Sequence, residues 1–195
     1  MARLIVNVVR HLPNLITVLR FVLIVPVVLS LLGGNFRWGL ALFAIAGLSD
    51  GLDGLLARHF GWTSRFGAIA DPLADKLLMG AVFIALTVSG EVPVWVTGAV
   101  LLRDVVIVTG AAFYHWLIGE FEFVARVTGK TNTGVQIAFV LLVLVVLARI
   151  PGFEALNDMR EVGGMVVLAS ALLSGGDYVL TWSWRAIQHG SAKDS

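Results

Sequence analysis

Four aspartates lie within one stretch of the chain whose flanks are almost wholly apolar: Asp50, Asp53, Asp71 and Asp75. An ionised carboxylate at the centre of a membrane span costs roughly 2.5–3.5 kcal/mol on insertion scales. Four of them would not be retained between apolar segments unless something neutralised their charge. A divalent cation does this most directly, because carboxylates are hard oxygen ligands suited to magnesium, calcium or manganese. The stretch therefore predicts a metal site.

The spacing of these aspartates places them on helix faces that can meet. Asp50 and Asp53 are i and i+3, and Asp71 and Asp75 are i and i+4, so each pair lies on one face of a helix. The polar segment 58–66 between the pairs predicts a turn, which makes the two helices antiparallel neighbours. The end of one helix and the start of the next then lie at the same depth. All four carboxylates can converge near one membrane face.

The residues around the aspartates suit phosphoryl transfer. Two divalent cations held by shared carboxylates neutralise a diphosphate, polarise phosphorus and stabilise the leaving oxygen. Small residues at Gly54, Ala57 and Gly67 let a ligand come close to the backbone, and Arg58 supplies a planar fork that suits phosphate. The structural alternative is a charge cluster that only helps helices associate, although ionisable residues in spans are functional by default.

The stretch also matches a known signature. As a pattern it is D-x-x-D-G-x-x-A-R, eight residues, then G-x-x-x-D-x-x-x-D. It resembles, at every position, the signature of the CDP-alcohol phosphatidyltransferases. The resemblance implies transfer of the phosphatidyl group of CDP-diacylglycerol to an alcohol, with release of CMP. It also implies a homodimer and a two-metal site that holds Mg²⁺ or Mn²⁺.

The resemblance implies a role for each residue of the signature. Asp50, Asp53 and Asp71 would be metal ligands. Asp75 would be a ligand and also the catalytic base that deprotonates the acceptor hydroxyl. The residues expected around the CDP moiety are Gly54, Ala57, Arg58 and Gly67.

A second polar set lies in the first apolar segment. Asn14, Thr17 and Arg20 recur every third residue and share a helix face, which must point at the protein interior or at water. The segment resembles the family's first span, which contributes to the nucleotide pocket, so Asn14 and Thr17 are expected to bind CDP. The alternative is a capping and snorkelling set at the membrane edge.

Two later segments resemble the phosphatidylglycerophosphate synthase and CMP-forming cardiolipin synthase branches of the family. They are Arg103-Asp104 and Gly129-Lys130-x-x-Thr133-x-x-Gln136. We predict that Arg103 and Lys130 form an anion site beside the metals for a phosphate on the acceptor. One alternative is a structural ion pair of Arg103 with Asp104 or another aspartate. For Lys130 the alternative is an ordinary positive-inside loop charge.

The sequence leaves two alcohols as candidates for the acceptor. Adjacent positive charges for a small phosphate favour glycerol 3-phosphate, whereas the sequence of residues 130–133 leans toward phosphatidylglycerol and hence cardiolipin synthesis. Inositol phosphate and serine are weaker candidates. A cation transporter is an alternative of another class, but it would need an aqueous path and usually broken helices in both halves of the chain. An inactive scaffold is a third alternative, against which the complete aspartate set argues.

The composition indicates an integral membrane protein with a single domain, residues 1–195. The chain is 58% hydrophobic and 14% charged, with a mean hydropathy of +0.90, whereas soluble domains are about a quarter charged. A net charge of +1 argues against a nucleic-acid partner. The absence of cysteine excludes disulfides and thiol catalysis, and the four histidines show no metal-ligand spacing.

Hydropathy predicts an all-α fold of six transmembrane helices, because each apolar segment approaches the length that crosses a bilayer. The expected spans are 12–32, 38–57, 66–88, 94–114, 132–148 and 162–179. A short amphipathic helix at residues 1–11 is expected to lie in the interface before them. A polar C-terminal tail, residues 182–195, is expected to follow.

The distribution of basic residues predicts the orientation of these spans. Only three arginines lie on one side of the expected membrane: Arg37, Arg149 and Arg160. Eight basic residues lie on the other side: Arg3, Arg10, Arg58, Arg65, Arg126, Lys130, Arg185 and Lys193. Both termini and the aspartate cluster are therefore expected to face the cytoplasm of a bacterial inner membrane.

Overall fold

The described part of the chain is almost entirely helical. The structure is a computed structural model that describes residues 12–60, 65–118 and 127–191, and the side chains of residues 18–49, 71–110 and 128–181. Its α-helices are α1 (Leu12–Leu32), α2 (Phe36–Phe60), α3 (Arg65–Val88), α4 (Val94–Ile118), α5 (Val127–Leu147) and α6 (Met159–Ser191), with a short 3₁₀ helix at Glu154–Asp158. The all-α prediction is confirmed for these residues, none of which forms a strand. The predicted interfacial helix, 1–11, and residues 61–64 of the predicted turn lie outside them.

The helices contain nearly all of the predicted spans and extend beyond several of them. α5 begins at Val127 rather than at 132. Its polar start is held against α6, because Thr128 Oγ1 donates to Asp177 Oδ2 at 2.8 Å. α6 continues to Ser191, so residues 182–191 of the predicted tail are helical. Hydropathy marks the apolar part of a helix and does not report where its backbone hydrogen bonds end.

The described helices form two compact units. One contains the described chain up to Glu91 together with Val143–Glu154, and the other contains Val92–Leu142 and the chain from Ala155 onward. In the first unit α1 packs along both α2 and α3. In the second unit α4 packs along α6.

Helices α1 and α3 end in the same kind of turn. Gly34 follows α1 with a φ of 72°, and Gly90 follows α3 with a φ of 77°. Glycine adopts this left-handed conformation without a steric penalty. In both turns the next amide donates to the carbonyl five residues before it, at 2.8 and 2.9 Å respectively. These are Schellman motifs, which satisfy carbonyl groups that the helix ends would leave unpaired.

A hydrogen bond between these two ends orients the first unit. Ser89 Oγ, after the end of α3, donates to the carbonyl oxygen of Leu31, in the last turn of α1, at 3.3 Å. The carboxyl ends of α1 and α3 therefore meet, and the two helices run parallel. α2 starts directly after the α1 turn and packs along α1, so it runs back toward the start of α1. This topology carries the end of α2 and the start of α3 to the same end of the unit.

In the second unit, α5 runs antiparallel to α6. The Thr128–Asp177 hydrogen bond joins the start of α5 to the later part of α6. Farther along α5, the ring of Phe139 lies against Gly163 in the first turns of α6. A methyl group on Gly163 would lie 2.9 Å from that ring, so glycine allows the two helices to approach closely.

Both units bury polar side chains and expose large apolar ones. The buried polar side chains are those of Arg20, Thr97, Arg103, Asn132, Gln136 and Ser174. In contrast, Leu29, Leu102 and Leu173 are 64%, 66% and 74% exposed. Soluble monomers rarely expose large contiguous apolar patches. This distribution is the one expected of helices that are solvated by lipid.

Two helical stretches within the described residues are long and apolar enough to cross a bilayer. They are Thr128–Leu147 and Glu154–Thr181. Shorter apolar helical stretches occupy Val18–Leu32 and Phe36–Ser49. The six-span count therefore stays a prediction.

Candidate active site

Two of the four signature aspartates, Asp71 and Asp75, have described side chains. They lie one helical turn apart on α3, so they share a face of the helix. Both are partly exposed, whereas Ala74 and Leu78 on the same helix are buried in the unit. The carboxylates therefore lie at the margin of the packed helices, where a ligand can reach them.

Asp75 is bonded to an arginine from a different helix. Arg20 Nη1, on α1, donates to Asp75 Oδ1 at 2.7 Å. The arginine side chain is 1% exposed and the aspartate side chain is 45% exposed. A guanidinium group buried among apolar helices needs an anion nearby. Asp75 provides that anion and also presents part of its carboxylate to the surroundings.

The backbone places all four aspartates at similar distances from the turns that follow α1 and α3, which the hydrogen bond from Ser89 to Leu31 joins. At about 1.5 Å per residue, Asp50 and Asp53 lie about 21 and 26 Å from the start of α2. By the same rise, Asp71 and Asp75 lie about 26 and 20 Å from the end of α3. Because α2 and α3 run in opposite directions beside α1, these positions are level with one another. The side chains of Asp50 and Asp53 lie outside the described set, so convergence of the four carboxylates stays a prediction.

The residues expected to bind CDP lie at the same end of the first unit as the aspartates. Asn14 and Thr17 lie in the first turns of α1. Gly67 lies in the first turn of α3, and the late turns of α2 hold Gly54, Ala57 and Arg58. All six positions lie toward the aspartate end of their helices. Their side chains are outside the described set, and their contacts with a nucleotide stay predictions.

The chemistry of the described carboxylates suits a divalent cation. Asp71 and Asp75 offer hard oxygen donors from one face of a helix, which suits Mg²⁺ or Mn²⁺. Among the residues whose side chains the structure describes, no group of three or more acidic, histidine or cysteine residues forms a cluster. The two further ligands expected from the signature, Asp50 and Asp53, lie outside that set.

Arg103, in the second unit, is bonded on two sides. Its Nη1 donates to Asp104 Oδ1 at 2.7 Å, which is the neighbour pair that the sequence allowed as an alternative. Its Nη2 and Nε donate to Ser174 Oγ, on α6, at 2.8 and 3.3 Å. The bonds to Ser174 were not predicted, because nothing in the local sequence indicates which turn of α6 lies beside Arg103.

The start of α5 lies against this arginine. A methyl group on Gly129 would lie 3.4 Å from Arg103 Nη2 and 3.2 Å from Tyr178 Oη, so the missing side chain makes room for both. Lys130 is the next residue and is exposed. The structure thus places Arg103 beside the turn that carries Lys130. The first turn of a helix also attracts anions through its unpaired amides and its dipole.

Two buried amide side chains follow on α5. Asn132 Oδ1 accepts a hydrogen bond from Ser170 Oγ at 2.9 Å. Asn132 Nδ2 and Gln136 Nε2 have no hydrogen-bond partner among the described residues. These residues are four apart and share one face of α5. The sequence singled out Gln136 as part of a motif but did not indicate that its amide is buried.

The contact of Arg20 with the aspartate signature does not follow from the sequence. The sequence marks Arg20 as one of three polar groups on a face of the first span, and the structure places it against Asp75. The available signal was physical: a cation in an otherwise apolar segment needs an anion at the same depth. Four aspartates in the next two helices were the obvious candidates, but the sequence could not select Asp75 among them.

Comparison with known proteins agrees with the signature. The family model for CDP-alcohol phosphatidyltransferase matches residues 10–175. A Mycobacterium tuberculosis protein named "Probable phosphatidylglycerophosphate synthase" is 35% identical over 88% of this chain and 81% of its own length.

Two further relatives carry the names of the two branches. A Bacillus subtilis protein named "CDP-diacylglycerol--glycerol-3-phosphate 3-phosphatidyltransferase" is 32% identical over 91% of this chain and 97% of its own length. A Drosophila melanogaster protein named "Probable cardiolipin synthase (CMP-forming)" is 34% identical over 82% of this chain and 55% of its own length. The chain belongs to the CDP-alcohol phosphatidyltransferase family.

Proposed function

We propose that this protein transfers the phosphatidyl group of CDP-diacylglycerol to glycerol 3-phosphate and releases CMP. The structural observation that carries the proposal is the face of α3 that holds Asp71 and Asp75, level with the aspartates of α2. Glycerol 3-phosphate is supported as the acceptor because two relatives, matched over 81% and 97% of their own length, are named for glycerol 3-phosphate or for its product.

The signature aspartates would hold the metal ions. Asp50, Asp53, Asp71 and Asp75 would bind two Mg²⁺ or Mn²⁺ ions, which when bound neutralise the diphosphate and stabilise the leaving oxygen. Asp75 takes the proton of the acceptor hydroxyl. The acceptor oxygen then bonds to the phosphatidyl phosphorus as the bond from that phosphorus to CMP breaks. CMP leaves with the bonding electron pair.

The other signature residues bind the nucleotide in this proposal. Gly54, Ala57 and Gly67 allow the CDP moiety to lie close to the backbone of α2 and α3. Arg58 pairs with a phosphate through its planar guanidinium. Asn14 and Thr17, at the start of α1, complete the nucleotide site.

In the second unit, Arg103 and Lys130 bind the phosphate of the acceptor. The support is that Arg103 Nη2 lies beside the backbone of Gly129, one residue before Lys130 in the first turn of α5. Ser174 and Asp104 hold the guanidinium in place. A helix N-terminus with two basic side chains is a suitable anion site.

Cardiolipin synthesis is the second candidate function. The Drosophila relative named as a CMP-forming cardiolipin synthase supports it, although this chain spans about half of that protein. Both acceptors carry a phosphate, so both would use an anion site. Glycerol 3-phosphate arrives from water, whereas phosphatidylglycerol arrives through the bilayer.

The proposed setting is a bacterial inner membrane crossed six times, with both termini and the aspartates on the cytoplasmic side. The positive-inside distribution supports this orientation, and the exposed apolar faces of both units support burial in lipid. A reporter fused after Ser195 should be active in the cytoplasm, and activity only outside it would contradict the orientation. A homodimer is proposed on the family resemblance alone, and light scattering of the detergent-solubilised protein would test it.

Product analysis separates the two functions. Purified protein in detergent receives CDP-diacylglycerol, a divalent metal and either glycerol 3-phosphate or phosphatidylglycerol. The proposal predicts phosphatidylglycerophosphate with the first acceptor, identified by thin-layer chromatography. Cardiolipin formed from phosphatidylglycerol, with no use of glycerol 3-phosphate, would establish the second candidate instead.

A further inference from the structure

We propose that Arg20 is a positioning residue for Asp75, holding its carboxylate in the orientation from which it acts on the acceptor and binds metal. The inference rests on the proposed function, in which Asp75 is the base. Neither the signature nor the sequence of α1 assigns this role to Arg20.

The geometry singles out Arg20 on α1. Its side chain is 1% exposed, whereas the preceding residues, Val18 and Leu19, are 48% and 46% exposed. Of these three consecutive side chains, only that of Arg20 is buried in the unit. There it meets Asp75, a residue 55 positions away in the chain, through the 2.7 Å bond from Nη1 to Oδ1.

The two partners are constrained to different degrees. Arg20 is enclosed by the packed helices, and α1 is held along α3 both by packing and by the bond from Ser89 to the Leu31 carbonyl. The Asp75 side chain is 45% exposed, so packing restricts its rotamers less. The enclosed guanidinium therefore limits the orientation of the half-exposed carboxylate.

Such a restriction matters for a base that also binds metal. A misplacement of about 1 Å can cost about a hundred-fold in rate, because proton transfer needs the reacting atoms in near-attack geometry. Residues that orient metal ligands have a similar importance, and their loss typically lowers metal affinity or activity by about 10–100-fold. Both effects are expected when Arg20 no longer holds Asp75.

The test compares Arg20→Lys and Arg20→Met with the wild type and with Arg37→Lys. Lysine keeps the positive charge but loses the planar fork, and methionine loses both. Arg37 is a matched control because its Nε also donates within the first unit, to the Ala148 carbonyl at 2.9 Å, but not to a signature residue. The measurements are kcat and KM for both substrates, Mn²⁺ affinity by electron paramagnetic resonance, and the melting midpoint in detergent.

Positioning predicts a fall in kcat of about ten-fold for Arg20→Lys and about a hundred-fold for Arg20→Met. The KM values for both substrates should change by less than about three-fold, because the substrates do not depend on Arg20 for binding. Arg20→Lys should also bind Mn²⁺ about ten-fold more weakly, and Arg37→Lys should match the wild type in all kinetic values. A raised KM for CDP-diacylglycerol with unchanged kcat would overturn the proposal in favour of substrate binding. A lowered melting midpoint with unchanged kcat and Mn²⁺ affinity would overturn it in favour of a structural role.

A double-mutant cycle keeps the proposal testable if Arg20→Met folds poorly. Arg20→Met with Asp75→Asn removes both charges of the pair, so no buried charge is left uncompensated. Positioning predicts that this double variant is no slower than Asp75→Asn alone, because Arg20 acts through Asp75. Independent, multiplicative losses would contradict it. If the wild type released no CMP at all, the proposed function would fail, and the Mn²⁺ affinity of Arg20→Lys would still decide whether Arg20 positions Asp75.

Discussion

Among the residues whose side chains are described, two buried arginines pair with aspartates, one in each unit. In both pairs the Nη1 to Oδ1 distance is 2.7 Å. Arg20 reaches across 55 positions to Asp75 and joins α1 to α3. Arg103 bonds to its neighbour in the chain, Asp104, and joins α4 to α6 through Ser174 instead.

The carboxylates of the two pairs also differ in exposure. The Asp75 side chain is 45% exposed and the Asp104 side chain 20%. Asp75 belongs to the aspartate signature, whereas Asp104 does not. The proposals give the two pairs different roles at equal distances: Asp75 would act on the acceptor and hold metal, and Asp104 would help to orient the Arg103 guanidinium beside the start of α5. The following experiments distinguish these roles.

Chelation should have the largest effect. It should act on the signature aspartates, which include Asp75 but not Asp104. Excess EDTA should abolish CMP release, and added Mg²⁺ or Mn²⁺ should restore it, because carboxylates are the only ligands proposed for the metal. Mn²⁺ binding followed by electron paramagnetic resonance should weaken in Asp71→Asn and stay unchanged in Asp104→Asn. Full turnover in excess EDTA would contradict the metal site.

Replacing the two paired aspartates should separate their roles next. Asp75→Asn should lower kcat by about 10²–10⁴-fold, the usual contribution of a general base, while CDP-diacylglycerol still binds. Asp104→Asn should change kcat far less, because Asp104 is neither the proposed base nor a proposed metal ligand. The measurement is steady-state CMP release together with a binding assay. If Asp75→Asn kept more than about a tenth of the wild-type rate, the base would lie elsewhere.

The basic residues of the second unit should affect the acceptor. Arg103→Ala and Lys130→Ala should each raise the acceptor KM by about ten-fold, since a charge-assisted hydrogen bond contributes about 1.5–3 kcal/mol. The KM for CDP-diacylglycerol should stay nearly constant. Arg37→Ala, which removes an exposed arginine of the first unit, is the control. Unchanged acceptor kinetics with both glycerol 3-phosphate and phosphatidylglycerol would remove the proposed anion site.

The smallest effect is expected from Ser174→Ala. This change removes the acceptor for Arg103 Nη2 and Nε, and a lost buried partner costs about 1–3 kcal/mol. The melting midpoint in detergent should fall and the acceptor KM should rise a few-fold. Ser49→Ala is the matched control, because Ser49 Oγ donates to the Ile45 carbonyl of its own helix. A Ser174 variant that behaves like the Ser49 control would show that Ser174 does not hold Arg103.

Sequence reasoning succeeded where the cause is local. The expected spans 12–32 and 66–88 end where α1 and α3 end, and there Gly34 and Gly90 adopt the left-handed conformation that terminates a helix. The Arg103–Asp104 pair was one of the alternatives that the sequence allowed, since the two residues are neighbours. Apolar segments long enough to span a bilayer likewise predicted the helices.

Contacts between distant helices could not be predicted in the same way. Which aspartate Arg20 contacts depends on the register of α1 along α3. Helix packing and the hydrogen bond from Ser89 to Leu31 determine that register. The bonds from Arg103 to Ser174 depend on how α4 packs along α6. The early start of α5 depends on the hydrogen bond between Thr128 and Asp177. Hydropathy does not detect it, because the first residues of α5 are polar. In each case the deciding interaction joins residues at least 49 positions apart.

The ratio of CMP to phosphatidyl product in one reaction tests the central claim most directly. Purified protein receives CDP-diacylglycerol, glycerol 3-phosphate and Mg²⁺, and both products are quantified over time, with Asp75→Asn as the inactive reference. Phosphatidyl transfer predicts equal amounts of CMP and phosphatidylglycerophosphate, and neither product without the acceptor. CMP release that needs no acceptor, or no CMP release with either glycerol 3-phosphate or phosphatidylglycerol, would contradict it.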